Sequence, residues 1–290
     1  MRFHFIRAHT GEFRVRTMCR VLAVSRAGYY AWCARPVSVR ARTDAMLATR
    51  LRVLHAGSRR TYGSPRLHAE LRAEGVACGR HRVARVMRQL GLAATPPRRF
   101  RVTTDSAHAA PIAPNHLARD FAVGPANQRW AADLTYLPTA EGWAYLAVVL
   151  DLGSRRVVGW AFGDRLVGAL PRTALDRALT RRRPAAGLLH HSDRGAQYAA
   201  YAYQALLSAH GGTPSMSRRG DCWDNAVVES FFATLKKECV RHEIYATRAV
   251  AHAALGDYIE GWYNKRRRHS ALGYLSPDAY EAAQQKARVA

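Results

Sequence analysis

Three acidic residues of this 290-residue chain lie in apolar surroundings, where an acidic side chain is unexpected. Asp133 interrupts the apolar run RWAADLTYL, Asp193 follows the apolar segment GLLHHS, and Glu229 lies between bulky residues in AVVESFFATL. A carboxylate in an apolar strand is costly unless it is paired or bound to a metal ion. If the three converge, they form an oxygen-only site that suits Mg²⁺ or Mn²⁺ rather than zinc. Two such ions can activate an attacking oxygen and stabilise a leaving oxygen, which is the chemistry of phosphoryl transfer.

A plainer interpretation of these acids is also open. They are then an aspartate in a strand, an aspartate in a turn and a glutamate on a helix surface, with no common task. Asp151 and Asp221 compete as metal ligands, and their spacing does not exclude them. The pattern alone therefore leaves the ligand set undecided.

One helix is expected to carry both Glu229 and a nearby cation. Asp224 or Asn225 can cap its start, and apolar residues at helical spacing continue the pattern over 226–237. Lys236 follows Glu229 by seven residues, and seven steps of about 100° return almost to the same face. A carboxylate and an ammonium are thus stacked along one stripe, unless that stripe is merely a solvated charged face.

The elements that must position the acids alternate between strands and helices. Short links join the first three strands, which predicts an antiparallel meander. We predict strands over 129–137, 143–152, 156–162, 187–191 and 212–216, with helices over 166–182, 198–209 and 226–237. This order of three strands followed by alternating helices and strands matches a ribonuclease-H-like α/β core. Asp133 then lies in the middle of a strand, and Asp193 lies at the end of another.

The chain before this core is predicted to be helical and to bind DNA. Residues 13–32 fit either a helix-turn-helix or a simple helical hairpin. The sequence RHRVARVMRQLG predicts a helix with an apolar inner face that ends at Gly91. Its arginines are expected to point largely outward and to contact DNA, although an ordinary solvated face has the same pattern. These arginines are Arg80, Arg82, Arg85 and Arg88.

Composition shifts divide the chain into five predicted segments. They are a helical region (1–35), a helix-turn-helix-like DNA-binding domain (36–93), a basic proline-containing linker (94–127), the catalytic core (128–240) and a helical basic tail (241–290). The linker contains Pro96 and Pro97 with Arg98, Arg99 and Arg101, and the tail contains the run YNKRRRHS.

The charge balance indicates a polyanionic partner. Lysine and arginine number 45 against 21 acidic residues, for a formal net charge of +24. Such an excess favours nucleic acid binding, although a merely soluble basic protein has the same composition. The five cysteines contain no CxxC pair, which argues against a disulfide framework or a zinc knuckle. The scattered cysteines favour a reduced, cytosolic chain, and no apolar run is long enough for a membrane span.

Several long motifs resemble one protein family. WAADLTYL, HHSDRGAQY and GDCWDNAVVESFFATLKKE are similar to the aspartate-aspartate-glutamate transposases of bacterial insertion sequences, specifically the insertion-sequence-three type. The catalytic domain of that family is similar to retroviral integrases. The segment TYGSPRLHAELRAEG resembles the helical DNA-binding block of the family, and YNKRRRHSALGYLSP is typical of its end.

The resemblance implies roles for individual residues. Asp133, Asp193 and Glu229 would be the metal-binding triad, because the thirty-five residues between the last two match the family spacing. Lys236 would match the basic residue that contacts the DNA at the element end. His190, His191 and Arg194 flank the site and can touch phosphate, although a histidine beside a buried strand end is more often structural.

The resemblance also implies an activity and its partners. A DNA transposase is expected, which uses two Mg²⁺ or Mn²⁺ ions for cleavage and strand transfer on double-stranded element ends and target. It would act as a homo-oligomer on DNA, would be fused to a DNA-binding protein from an upstream reading frame, and would be cytoplasmic and nucleoid-associated. A nuclease that does not join strands and a non-catalytic DNA-binding regulator are the alternatives.

Overall fold

The computed structural model describes residues 1–95, 111–219, 221–240 and 244–289. In these ranges, five strands form one mixed sheet with the order β3-β2-β1-β4-β5. The strands are β1 (Arg129–Thr139), β2 (Gly142–Asp151), β3 (Val157–Gly163), β4 (Leu189–Ser192) and β5 (Thr213–Met216). β1, β2 and β3 are antiparallel, whereas β4 runs parallel to β1 and β5 runs parallel to β4. The predicted meander and the ribonuclease-H-like core are confirmed.

Helices cover both faces of this sheet, because its strands are apolar on both sides. The helix α7 (Ala169–Arg182) packs on the face that contains Trp130, Ala132 and Val149. Gly159 of β3 permits this close approach, since a Cβ there would collide with the Ala174 carbonyl. The helix predicted over 198–209 is interrupted at Ala200, where the backbone is extended, and forms α8 (Ala196–Ala199) and α9 (Tyr201–Ala209).

The opposite face of the sheet is covered by α10 (Ala226–Leu235) together with the tail. The tail contains α11 (Arg248–Gly256), a π-helical turn (Asp257–Tyr263) and α12 (Pro277–Val289). Tyr245, Leu255 and Tyr258 of the tail belong to the same buried cluster as Phe231 of α10 and Leu146 of β2. The tail is therefore helical, as predicted, and it contributes to the core of the sheet.

Two helical clusters precede the sheet. The helices α1 (Arg2–Ala8), α2 (Val15–Val21) and α3 (Arg26–Ala34) surround Ile6, Met18 and Tyr29. The helices α4 (Val39–Gly57), α5 (Ser64–Ala73) and α6 (Arg80–Gln89) surround Leu51, Leu67 and Val83. The predicted linker residues Pro96, Pro97, Arg98, Arg99 and Arg101 lie outside the described residues. In the described ranges, no helix is both long and apolar enough to span a bilayer.

The helix α5 is docked on the tail. Arg66 Nε donates to the Arg268 carbonyl at 2.9 Å, and Arg268 forms an ion pair with Glu70 at 2.7 Å. The backbone N–H of Arg268 donates to Tyr62 Oη at 2.7 Å, and the Tyr62 ring lies 5.8 Å from the Trp262 ring, centroid to centroid. These contacts connect the α4–α6 cluster to the catalytic core through the tail.

Candidate active site

The register of two parallel strands brings the first two acids together. Ala132 of β1 is the register partner of Ser192, the last residue of β4. Asp133 is the next residue of β1, and Asp193 directly follows the end of β4. Neighbouring strands lie about 4.8 Å apart, so the two acids start from adjacent backbone positions. Asp193 Oδ1 accepts a hydrogen bond from Gly195 N at 2.9 Å, which forms the turn into α8. Both acids therefore lie at the carboxyl end of β4, partly exposed to solvent.

The third acid approaches on α10. Because side chains alternate along β1, Asp133 shares the sheet face of Ala131, which is the face that α10 covers. Asn225, just before α10, donates through Nδ2 to the Ala132 carbonyl at 3.3 Å. This bond attaches the start of the helix one residue before Asp133. Glu229 follows one helical turn later and is partly exposed.

The acids interact electrostatically. Burial and the Asp193 carboxylate, with a further contribution from Glu229, hold the pKa of Asp133 well above the usual aspartate range. A hydrogen bond from Leu134 N at 2.7 Å and the charge of Lys236 oppose this rise in the Asp133 pKa without cancelling it. Burial also raises the pKa of Glu229. The result is a cluster of like charges that a divalent cation would stabilise.

The cluster is not a ready coordination shell. Within the described part of the chain, no three histidine, cysteine or acidic side chains are grouped so that they hold a metal ion as they stand. The donor chemistry nevertheless fits a hard cation, since all three candidate ligands are carboxylates.

Lys236 lies beside the acidic cluster, but in a different local structure from the one predicted. The α-helix expected over 226–237 ends at Leu235 and continues as a π-helical turn, Lys236–Val240. Lys236 Nζ lies 5.2 Å from the ring centroid of Tyr136 on β1. Its charge also opposes the rise in the Asp133 pKa, so the ammonium lies within electrostatic range of that carboxyl.

The two competing acids have structural roles. Asp151 is buried and accepts hydrogen bonds from Trp130 Nε1 at 3.1 Å and Ser154 N at 2.8 Å, which hold the turn between β2 and β3. Asp221 pairs with Arg119 and Arg218 and accepts a hydrogen bond from Trp223 N at 3.2 Å. Asp221 therefore caps the short 3₁₀ turn before α10. Asn225 occupies the N-cap position of α10, as predicted, but its side chain makes no capping hydrogen bond there.

Asp224 fixes the start of α10 through bonds to other side chains rather than as the cap that the sequence predicts. It is fully buried and accepts hydrogen bonds from Arg218 Nη2 at 2.8 Å, Arg119 Nε at 2.9 Å and Asn115 Nδ2 at 2.9 Å. The bond from Arg218, assisted by Arg119, lowers the pKa of Asp224. The position of Asp224 beside Asn225 indicates a residue at the start of the helix, but the sequence does not reveal its distant partners Arg119 and Asn115.

Glu238 fixes the π-helical turn that carries Lys236, a role that the sequence analysis missed. Its buried carboxylate accepts hydrogen bonds from Arg267 Nη2 at 2.9 Å and Tyr258 Oη at 2.9 Å, and from Trp262 Nε1 at 3.3 Å. Burial alone would raise the pKa of Glu238, but Arg267 and these hydrogen bonds lower it. The turn is thereby attached to the tail.

The histidines before Asp193 are structural, as the more common interpretation held. The His190 ring shares a hydrogen bond with Tyr203 Oη at 3.1 Å, and burial lowers the pKa of His190 to about 3. His191 lies between the Ser215 and Ser217 hydroxyls, at 2.9 and 3.1 Å, and burial lowers its pKa to about 4. Both rings are therefore neutral near pH 7 and brace β4.

The arginines of α6 divide into two pairs. Arg80 and Arg88 are exposed, as predicted. Arg82 and Arg85 do not point freely outward, because each donates to Asp44 of α4 at 2.7 Å. They are only partly exposed and tie α6 to α4, so the predicted outward orientation is wrong for this pair.

Comparisons with known proteins relate two parts of the chain to known domain families. Models of an integrase core domain match residues 125–222 and 210–277, and a model of an HTH-like domain matches residues 41–100. The insertion element IS600 uncharacterized 31 kDa protein of Shigella sonnei is 46% identical over 263 residues, which cover 91% of this chain and 97% of the relative. The transposase InsF for insertion sequence IS3A of Escherichia coli strain K12 is 44% identical over 283 residues, or 97% of this chain and 98% of the relative.

Two of the similar solved structures are viral. The simian T-cell lymphotropic virus intasome in complex with PP2A regulatory subunit B56 gamma has a TM-score of 0.42 and 15% identity, covering 75% of this chain and 69% of that chain. The HTLV-2 integrase catalytic core domain in complex with magnesium has a TM-score of 0.37 and 14% identity, covering 54% of this chain and 97% of that chain.

Proposed function

Because the chain belongs to the IS3 family of insertion-sequence transposases, we propose that Asp133, Asp193 and Glu229 are the carboxylates at which it cleaves and joins DNA. The chain is a DNA transposase, and its chemistry is polynucleotidyl transfer. The observation that carries the residue assignment is the register of β1 and β4, in which Asp133 and Asp193 directly follow a pair of register partners. The repulsion of Asp133 by Asp193 and Glu229 supports the same assignment.

The family implies a divalent metal ion, and we propose Mg²⁺ or Mn²⁺, bound as two ions. Three carboxylates and no thiolate or imidazole suit such hard cations. When bound, the ions supply activation of a water or a DNA 3′-hydroxyl and stabilise charge on the leaving oxygen. The sheet holds Asp133 and Asp193 at fixed backbone positions, whereas Glu229 depends on how α10 lies against β1. The mechanism requires no serine or tyrosine nucleophile.

Different cationic residues contact different parts of the DNA. We propose that Lys236 contacts a phosphate at the element end, because its ammonium lies close to the acids. Arg80 and Arg88 contact phosphates or base edges further away, since they are exposed on α6. Arg82 and Arg85 then contribute mainly by orienting α6 through Asp44. A net charge of +24 supports binding that weakens steeply as salt is added.

The remaining features are proposed from the family. The active form is a homo-oligomer that pairs two element ends. The chain is also made as a fusion with the DNA-binding product of an upstream reading frame, and it acts in the cytoplasm at the nucleoid. The five-segment division of the chain remains a prediction of the same kind.

A strand-transfer assay tests the triad. The full chain, a duplex with the terminal repeat of the element, a target duplex and Mg²⁺ are combined, and wild type is compared with Asp193→Asn. We expect no cleavage or joining from the variant but wild-type affinity for DNA. Asp176→Asn, a matched change at an exposed position on α7, should leave both products intact.

The products of this assay distinguish the possible activities. Joined strands from wild type support the transposase assignment, whereas cleavage without joining would indicate a nuclease and binding alone a regulator. Full activity of Asp193→Asn would contradict the residue assignment.

A further inference from the structure

Two aromatic rings lie exposed beside Lys236. Tyr136 of β1 is 43% exposed and Trp143 of β2 is 53% exposed, although large aromatic side chains are usually covered. Their ring centroids lie 5.0 Å apart and the ring planes meet at 87°. Pro138, two residues after Tyr136, is the register partner of Trp143, so the two rings are diagonal neighbours on one sheet face. The sheet therefore holds this aromatic pair in a fixed geometry.

The aromatic pair adjoins the candidate active site. Tyr136 follows Asp133 by three residues in the same strand, about 10 Å further along, and its side chain starts from the opposite face of the sheet. Lys236 connects the two places, because its ammonium lies 5.2 Å from the Tyr136 ring centroid and its residue directly continues the helix that carries Glu229. Neither ring belongs to the buried clusters on the two sheet faces. The pair is thus an exposed apolar surface with a cation at one edge.

This combination has the chemistry of a single-stranded nucleic acid site. Aromatic side chains stack on the flat faces of bases, and an adjacent cation contacts the backbone phosphate. A base inside a duplex offers only its edges, because its faces are covered by the neighbouring pairs. The ligand that suits exposed rings next to a lysine is therefore an unpaired base attached to a phosphate.

We propose that Tyr136 and Trp143 form a stacking site for an unpaired nucleobase at the DNA end that Lys236 holds. This inference rests on the proposed function, since it requires the DNA end to lie beside Asp133. The site would hold the terminal base of one strand out of the duplex and leave the backbone of that end beside the acids. The specificity is for an unpaired base of any sequence, since every base has a face that can stack.

The test measures stacking without catalysis. The full chain is titrated, with chelator present, against a duplex carrying a short single-stranded overhang that contains 2-aminopurine, whose fluorescence falls when it stacks. A blunt duplex with an internal 2-aminopurine is the second probe. We expect quenching of the overhang probe by wild type and none by Trp143→Leu. We also expect about tenfold weaker binding of the overhang by Tyr136→Leu and by Trp143→Leu, and equal binding of the blunt duplex by all three proteins.

Two control variants sharpen the result. Trp143→Phe keeps a stacking face and should keep most of the quenching, whereas Tyr201→Leu, at another exposed tyrosine, should change nothing. Unchanged quenching with Trp143→Leu, or an equal loss of affinity for both probes, would overturn the proposal. A change of oligomeric state in Trp143→Leu without loss of quenching would overturn it as well, because a second copy of the chain would then cover the rings. Since no cleavage is needed, this result is separate from that of the Asp193→Asn assay.

Discussion

Two groups of acids in this protein have opposite environments. The triad acids, Asp133, Asp193 and Glu229, are partly exposed, and mutual repulsion adds to burial in raising the pKa of Asp133. The clamped acids, Asp224 and Glu238, are buried and bound by arginines that lower the pKa of each carboxyl. The chain has 45 lysines and arginines for 21 acids, so cations are abundant.

The difference separates the acids that maintain the structure from the acids that we propose as metal ligands. Asp224 and Glu238 satisfy their charge inside the protein and fix the two ends of the helical segment that carries Glu229 and Lys236. The cation that acts on Asp133 is Lys236, and its effect on the Asp133 pKa is smaller than the repulsion from Asp193 and from Glu229. Acids that face each other thus mark the candidate ion site, and acids that face arginine mark its supports.

The largest expected effect is that of Asp133→Asn on activity. We expect strand transfer to fall to the background of the assay, because a ligand oxygen and its charge are lost. We also expect the free energy of unfolding to stay the same or to rise, since the change removes a repulsive carboxylate. Strand-transfer assays and thermal denaturation without divalent ions measure the two quantities. A variant that is both destabilised and active would place Asp133 among the structural acids.

Glu238→Gln should have the largest effect on stability. Removing one partner of a buried ion pair costs about 3–5 kcal/mol, because Arg267 is left buried without a counter-charge. Urea denaturation followed by circular dichroism measures this loss. The matched control is Glu260→Gln, whose pair with Arg181 is partly exposed and is worth about 0–1 kcal/mol. An equal loss in free energy of unfolding for the two variants would mean that the buried Glu238 pair contributes no more stability than the partly exposed Glu260 pair.

Asp224→Asn should show a stability difference that depends on pH. Asp224 has a pKa lowered by Arg218, so its folded state favours the charged carboxylate. Its contribution is therefore complete above the unfolded aspartate pKa of about 3.9 and is lost as the pH falls towards the lowered folded pKa. We expect the variant to be about 1.5–3 kcal/mol less stable than wild type at pH 7.

The pH series is the check on this assignment. Urea denaturation of both proteins from pH 7 to pH 3 should show the difference between them shrinking at the acid end. A difference that grows as the pH falls would mean that Asp224 is protonated in the folded protein and is not clamped by arginine.

Lys236→Ala should have the smallest effect, and it should be selective. Losing one charge-assisted contact of about 1.5 kcal/mol weakens binding of the element end about tenfold. Binding of unrelated duplex should change less, because that binding depends on the many other cations. Competition binding at fixed salt measures both affinities, with Lys286→Ala at an exposed position on α12 as the control. Equal losses on both DNAs would reduce Lys236 to a general phosphate contact.

The sheet could be predicted from the sequence because each strand corresponds to a local run of apolar residues, and short links join the first three. The apolar run around Asp133 and the turn between β2 and β3 were sufficient to place β1, β2 and β3 in an antiparallel meander. The adjacency of Asp133 and Asp193 followed once β4 was placed beside β1. Here local pattern and tertiary structure agree.

The supports of the site could not be predicted, because they depend on distant partners. Asp224 meets Arg119 across 105 residues of chain, and Glu238 meets Arg267 across 29. Arg82 and Arg85 have the spacing of an outer helix face, but Asp44 on another helix turns them inward. The π-helical turn at Lys236 likewise accompanies the Glu238 contacts with the tail rather than any signal in the local sequence.

The docking of α5 on the tail has a consequence for where the enzyme cuts. Arg66, Glu70 and Arg268 attach the α4–α6 cluster to the part of the protein that also anchors the π-helical turn. A duplex held by α6 would therefore enter with a set offset from the carboxylates. The number of base pairs between the sequence bound by α6 and the cleaved phosphodiester bond would then be fixed by the protein.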